Sequence, residues 1–240
     1  MKKIKLTYLC ALVIIIFSGF LLSGYGEEMY QGIEFDNTMF PYLFTALSFI
    51  CFTIVEKNTP LSFFSDCNLA RLVRVHSRRK ALFYDIARIY LTVFVLQGCE
   101  SLAVLAGSCI YRRKIYLAVL LQYFFMNYII KLLMILIQYF LELSAAYNFA
   151  FLGVFLVFAA SLFGGSRLHE KIMETSDMDK QRLYIFLNKC DLINYTSISR
   201  TEELVGSILI PAIFIIIVIL CVCAALFVYI KKADLLRKEV

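Results

Sequence analysis

The sequence contains no tryptophan, only three prolines and two histidines, and its charged side chains make up just 18% of 240 residues. Each shortage narrows the chemistry. Neither His76 nor His169 falls in a long apolar run, so a histidine-based site within membrane-sized segments has nothing to build on. The H-E-x-x-H pattern begins at His169-Glu170 but fails at Met173, where the second histidine would stand. No G-x-x-x-x-G-K-[ST] occurs, so nucleotide hydrolysis would have to come from another chain. Glu100 is the one carboxylate deep in an apolar run, which leaves no paired-carboxylate site. The eight cysteines lie mostly in apolar runs, where a thiol behaves as a small hydrophobe. Cys221 and Cys223 form a close pair without companion ligands, so neither metal nor cofactor is expected.

What the chain has in abundance is hydrophobicity, at 61% of residues with a mean hydropathy of +0.79. A helix needs about 20 predominantly apolar residues to cross the hydrocarbon core. Six runs approach that length, roughly 6–22, 39–55, 89–110, 117–141, 146–163 and 205–230. They are too long for barrel strands and show no strict alternation, so the expected fold is an all-α membrane protein with six transmembrane helices. The first run, preceded by Lys2, Lys3 and Lys5 and followed by Ser23 and Gly24, also reads as a signal peptide, although it exceeds the usual apolar core of one.

Cationic loops are retained in the cytoplasm. With the N-terminus inside, the inner segments hold fourteen Lys and Arg and the outer segments nine, which places both termini in the cytoplasm of a plasma-membrane protein. The basic turn Tyr111-Arg112-Arg113-Lys114 is the exception, because this arrangement puts it outside. A shallow re-entrant hairpin would bury its three cations and is worse.

Segment 56–88, expected on the cytoplasmic side, carries Ser65 or Asp66 as a helix N-cap ahead of Leu69-Ala70-Arg71-Leu72-Val73-Arg74-Val75-His76-Ser77-Arg78-Arg79-Lys80. Leu69, Leu72, Val73 and His76 share one face, and Arg71, Arg74 and Arg78 share another. Such a helix, between the second and third spans, belongs in the membrane interface. Its arginines, with Arg79 and Lys80, would hold anionic lipid or dock a cytoplasmic partner, and spacing alone does not choose.

The phrase Arg74-Val75-His76-Ser77-Arg78-Arg79-Lys80, placed between the second and third of six spans, resembles the cytoplasmic segment of small permease subunits of type-2 ABC exporters, the kind found beside bacteriocin and lantibiotic immunity systems. Leu121-Gln122 and the short 144–148 connection are similar to that family too. The resemblance implies a permease half that exports a peptide antibiotic or another amphipathic molecule. It would pair with itself or a sibling permease and be driven by a separate ABC ATPase docked on the 69–80 helix. The basic turn at 111–114 departs from the pattern. A non-transporting sensor or assembly factor would use the same helices, an intramembrane enzyme lacks a constellation, and no nucleic-acid partner is expected.

Two ionisable residues lie in the middle of apolar runs, Glu100 and Lys131. A charge there costs at least about 2.5 to 3.5 kcal/mol. Counted from the intervening turn, Lys131 is about six residues deeper, or roughly 9 Å along the axis. Direct pairing therefore requires extended side chains. Either the two line a path or bind a partner, or Glu100 is protonated, Lys131 snorkels, and each bonds to a neighbouring helix.

Segment 164–204, expected outside, is too small for a catalytic core and reads as a cap or gate with a short helix around Leu183–Leu187. The acidic Glu27, Glu28, Glu34 and Asp36 sit in the other long outer loop. Pro211, one turn inside the last run, is either a kink or, so near the helix start, simply tolerated there, and its position favours the second.

Overall fold

In the computed structural model of the protein, the described residues are 6–25, 32–35, 39–57, 78–144 and 149–236, and all regular elements among them are helical. They are α1 (Leu6–Leu22), α2 (Met39–Glu56), α3 (Arg78–Ile110), α4 (Leu117–Ser144), α5 (Ala150–Glu174), α6 (Met178–Cys190), a 3-10 helix (Leu192–Thr196), α7 (Ile198–Val205) and α8 (Leu209–Leu236). Five of them contain stretches long and apolar enough to cross a bilayer: 39–56, 82–110, 117–143, 150–174 and 209–230. The chain is a multi-pass membrane protein by this measure. The 17 residues of α1 stop just short, at the lower end of the spanning range.

Contacts between helix ends fix the threading. Phe20 and Tyr111 bring the C-terminal ends of α1 and α3 together, and Arg88 and Glu56 join the start of α3 to the end of α2. Tyr42 near the start of α2 meets Ser166 of α5, whereas Lys57 lies over Phe151 at the start of α5. Tyr229 of α8 donates to the Leu143 carbonyl near the end of α4. Hence α1, α3 and α5 run one way and α2, α4 and α8 the other. α4 is the axle, packed against α2, α3, α5, α8 and the 3-10 helix. The turn 111–116 lies at the end opposite Glu56, so α3 and α4 traverse the bundle and do not form a shallow hairpin.

That turn is tight because α3 ends in a Schellman motif. The Arg113 N–H donates to Ser108 O (2.9 Å) and the Arg112 N–H to Cys109 O (3.1 Å), with Arg112 at φ +55°. α1 lies close on α3 through small residues. A Cβ on Gly19 would sit 2.8 Å from the Glu100 carbonyl oxygen, and one on Gly107 would collide with Ser23 Oγ. Small residues at membrane helix crossings let backbones approach where lipid supplies no hydrophobic drive.

Several sequence boundaries move. The third helix begins at Arg78, not near 89, so Arg78, Arg79 and Lys80 form its first turn. The expected interfacial helix, with Arg71 and Arg74, otherwise lies outside the described residues, as does most of the 144–148 connection. The fifth helix runs to Glu174 rather than 163, because the polar turns after Phe163 remain helical. The last helix starts at Leu209, since Val205 ends α7 and Gly206 caps it at φ +71°. Pro211 consequently sits in the first turn of α8, where its missing N–H is no loss, as expected of a proline tolerated at a helix start.

Candidate functional site

Polar residues in α4 recur at Asn127, Lys131, Gln138 and Glu142, spacings of four, seven and four that place them on one helical face. All four are buried, so α4 carries a polar seam down the centre of an apolar bundle. Sequence reasoning singled out Lys131 alone. The signal for the rest was this period, which a count of charges overlooks.

At mid-seam Lys131 forms an ion pair with Glu100 of α3, and neither side chain is more than 1% exposed. Lys131 Nζ also donates to Gln97 Oε1 at 2.9 Å, and Ser48 Oγ of α2 donates to Glu100 Oε1 at 2.7 Å. The ammonium lies 4.6 Å from the centroid of the Phe52 ring, which adds a cation–π contact. The axial offset does not prevent pairing, because side chains lean toward the N-terminus of their own helix. In antiparallel α3 and α4 that tilt carries Glu100 and Lys131 toward one another. Lys131 therefore does not snorkel to an interface. The cluster ties α2, α3 and α4 at one level and encloses both charges.

Toward the end that bears residues 32–35, Asn127 Nδ2 donates to the Thr196 carbonyl at 2.7 Å and so anchors the 3-10 helix on α4. Segment 164–204 is not a solvated loop. Residues 193–198 are all buried, and Asp177 and Ser197 cap α6 and α7 by accepting from backbone N–H groups. α6 extends well beyond the short helix expected around Leu183–Leu187.

Arg200 is the centre of this cap, and no local pattern in the sequence marked it out from the other outer cations. Only 1% exposed, its guanidinium donates to Tyr42 Oη (2.7 Å), Ser166 Oγ (3.0 Å), Asn194 Oδ1 (3.0 Å) and the carbonyls of Glu34 (3.2 Å) and Leu162 (3.4 Å). Its central carbon lies 4.5 Å from the centroid of Phe35, and the His169 imidazole stacks parallel to Phe35 with a centroid separation of 4.5 Å. Burial draws the Arg200 pKa below its ordinary value, while Tyr42, Asp191 and Glu203 favour the charged form. His169 also places Nδ1 3.4 Å from Glu203 Oε1, a structural setting and not a zinc-protease helix.

At the opposite end Gln138 Nε2 donates to the Thr53 carbonyl (3.0 Å) and to Glu142 Oε1 (2.8 Å). Arg88 meets Glu56 at 3.3 Å, and the Tyr139 hydroxyl lies 3.4 Å from Asp85. Glu56, Asp85 and Glu142 are thus all buried near the basic first turn of α3. Lys80 in that turn is exposed.

No group of three or more His, Cys, Asp or Glu among the described residues is arranged to hold a metal ion. The described cysteines are free thiols, with Cys221 exposed and Cys223 partly buried. No family model, no curated protein and no solved structure matches the chain.

Proposed function

We propose that the chain is a membrane permease subunit of an ATP-driven transporter, with hydrolysis supplied by a separate cytoplasmic ATPase and α1 serving as a sixth span. The observation that carries this reading is the continuity of α3. Its 33 residues extend about 50 Å, well beyond the ~30 Å hydrocarbon core. One rigid helix therefore joins the basic turn Arg78–Lys80 to Glu100 of the buried ion pair. A force applied by a partner at the basic end has a direct mechanical route to the centre of the bundle. The distribution of Lys and Arg supports putting that end, with both termini, in the cytoplasm and the Arg200 cap outside.

In this reading Arg71, Arg74, Arg78, Arg79 and Lys80 meet the ATPase, and the subunit works as a dimer with itself or a sibling permease. The resemblance of the basic segment to exporter permeases supports a peptide antibiotic or other amphipathic cargo. A second reading, a non-transporting sensor or assembly factor, draws support from the Glu100–Lys131 cluster, in which both charges are buried and satisfied by one another and by Gln97 and Ser48.

Affinity purification of the tagged chain in mild detergent, followed by mass spectrometry, tests the proposal. Co-purification of a P-loop ATPase, lost in Arg74→Glu/Arg78→Glu, is the expected result. Recovery without any ATPase, under conditions that preserve a known transporter complex, would leave the sensor or assembly role.

A further inference from the structure

Between α3 and α8, against α4, runs an aromatic groove of about 590 Å³. Its walls include Phe83, Tyr90 and Phe94 from α3, Tyr128 from α4, and Phe227 from α8. Three dimensions constrain what fills it. From Phe83 to Phe94 is eleven residues, about 16 Å of helix rise, close to half of a ~30 Å hydrocarbon core. The groove starts one turn past the basic Arg78–Lys80 that open α3 and reaches into the apolar run that begins near residue 89, about the reach of a single leaflet. At about 590 Å³ the groove takes an acyl chain along its length, whereas a helix about 10 Å across could only lie against it.

The interfacial mouth is cationic. Lys80, Phe83, Ala87 and Phe94 fall at i, i+3, i+7 and i+14 on α3, so Lys80 continues the groove-lining face one turn beyond the apolar edge. Its side chain is exposed. An apolar slot one leaflet deep with a positive mouth at headgroup level matches an acyl chain joined to a phosphate.

We propose that this groove is a specific site for an anionic phospholipid, with one acyl chain between α3 and α8 and its phosphate at Lys80. The bilayer supplies neutral lipid to every apolar surface. What distinguishes this site is retention of an anionic lipid through the pairing of groove and lysine. It rests on the membrane orientation proposed above and assigns Lys80, of the basic residues opening α3, to the lipid rather than to the ATPase.

Native mass spectrometry of the full chain, purified in mild detergent and supplied with equal amounts of phosphatidylglycerol and phosphatidylcholine, tests it. The wild type is expected to retain one phosphatidylglycerol in preference to phosphatidylcholine. Lys80→Gln should reduce that preference about fivefold, the worth of one interfacial cation. Ala87→Trp, which fills the groove, should abolish retention of either lipid while thermal melting confirms the fold. Equal retention of both lipids by the wild type, an unchanged preference in Lys80→Gln, or wild-type retention in a folded Ala87→Trp would each overturn the proposal. If Ala87→Trp fails to fold, Lys80→Gln, altered at an exposed side chain, decides alone.

Discussion

Lys131 on α4 and Glu100 on α3 form an ion pair within the membrane-spanning region, and both side chains are shut off from the surface of the bundle. Each is held by a second polar group, Gln97 for the ammonium and Ser48 for the carboxylate. Removing one partner strands the other charge. Lys131→Met should therefore cost about 3 kcal/mol, and Lys131→Met combined with Glu100→Gln should recover most of it. Reversible unfolding in mixed detergent micelles, analysed as a double-mutant cycle, measures the coupling. Additive losses in the double variant would show that the pair does not act as a unit.

Arg200 makes its contacts through a planar fork that a lysine cannot reproduce, since an ammonium lacks both the geometry and the ring-stacking surface. Arg200→Lys should loosen the cap almost as much as Arg200→Ala. Tyr42→Phe, which removes one acceptor of a charge-assisted bond, should cost about 1.5 to 3 kcal/mol. Limited proteolysis between residues 175 and 205 reads the effect directly. Wild-type protection in Arg200→Lys would mean that charge alone holds the cap.

The crossing of α1 and α3 distinguishes glycines that look alike in sequence. Gly107→Ala places a methyl group against Ser23 and should destabilise by about 1 to 3 kcal/mol. Gly153, on α5, has nothing within 4 Å of an added Cβ, so Gly153→Ala should be neutral or stabilise by up to about 1 kcal/mol. The thermal midpoints of the two variants, measured in the same detergent, should move apart.

Asp191 links α6 to the 3-10 helix and accepts from the Ile193 N–H at 3.0 Å. Burial raises its pKa above the ordinary 3.8, against the opposing pull of the Ile193 N–H, Ser161 and Arg200. The folded protein thus holds this proton at pH values where the unfolded chain has released it. Its contribution to stability is fully present below the ordinary value and is lost as pH rises through the raised one. Asp191→Asn should flatten that part of the stability profile, as read from thermal midpoints across the acidic range. An unchanged slope would assign the pH dependence to another group.

Much of the architecture was legible from hydropathy. Five apolar runs became membrane-length helices, and α1 falls only just below that length. Boundaries moved where polar residues continue a helix beyond the hydrocarbon, as at Arg78 and after Phe163. Glu100 and Lys131 were conspicuous because a charge in an apolar run is conspicuous. Their pairing was less so, since depth along the chain omits the tilt of side chains toward helix N-termini. Arg200 was hidden because its partners come from residues 34, 42, 162, 166 and 194, which no local window brings together.

The sequence by itself determined the solvent of this protein and the type of its elements. Transfer to lipid is a sum over about 20 consecutive residues, and a backbone in hydrocarbon must bond to itself. Only the tertiary structure decided which buried polar groups meet. That depends on helix rotation, axial offset and distance of approach, so small residues at Gly19 and Gly107, and the antiparallel course of α3 and α4, turned scattered polar side chains into one connected seam.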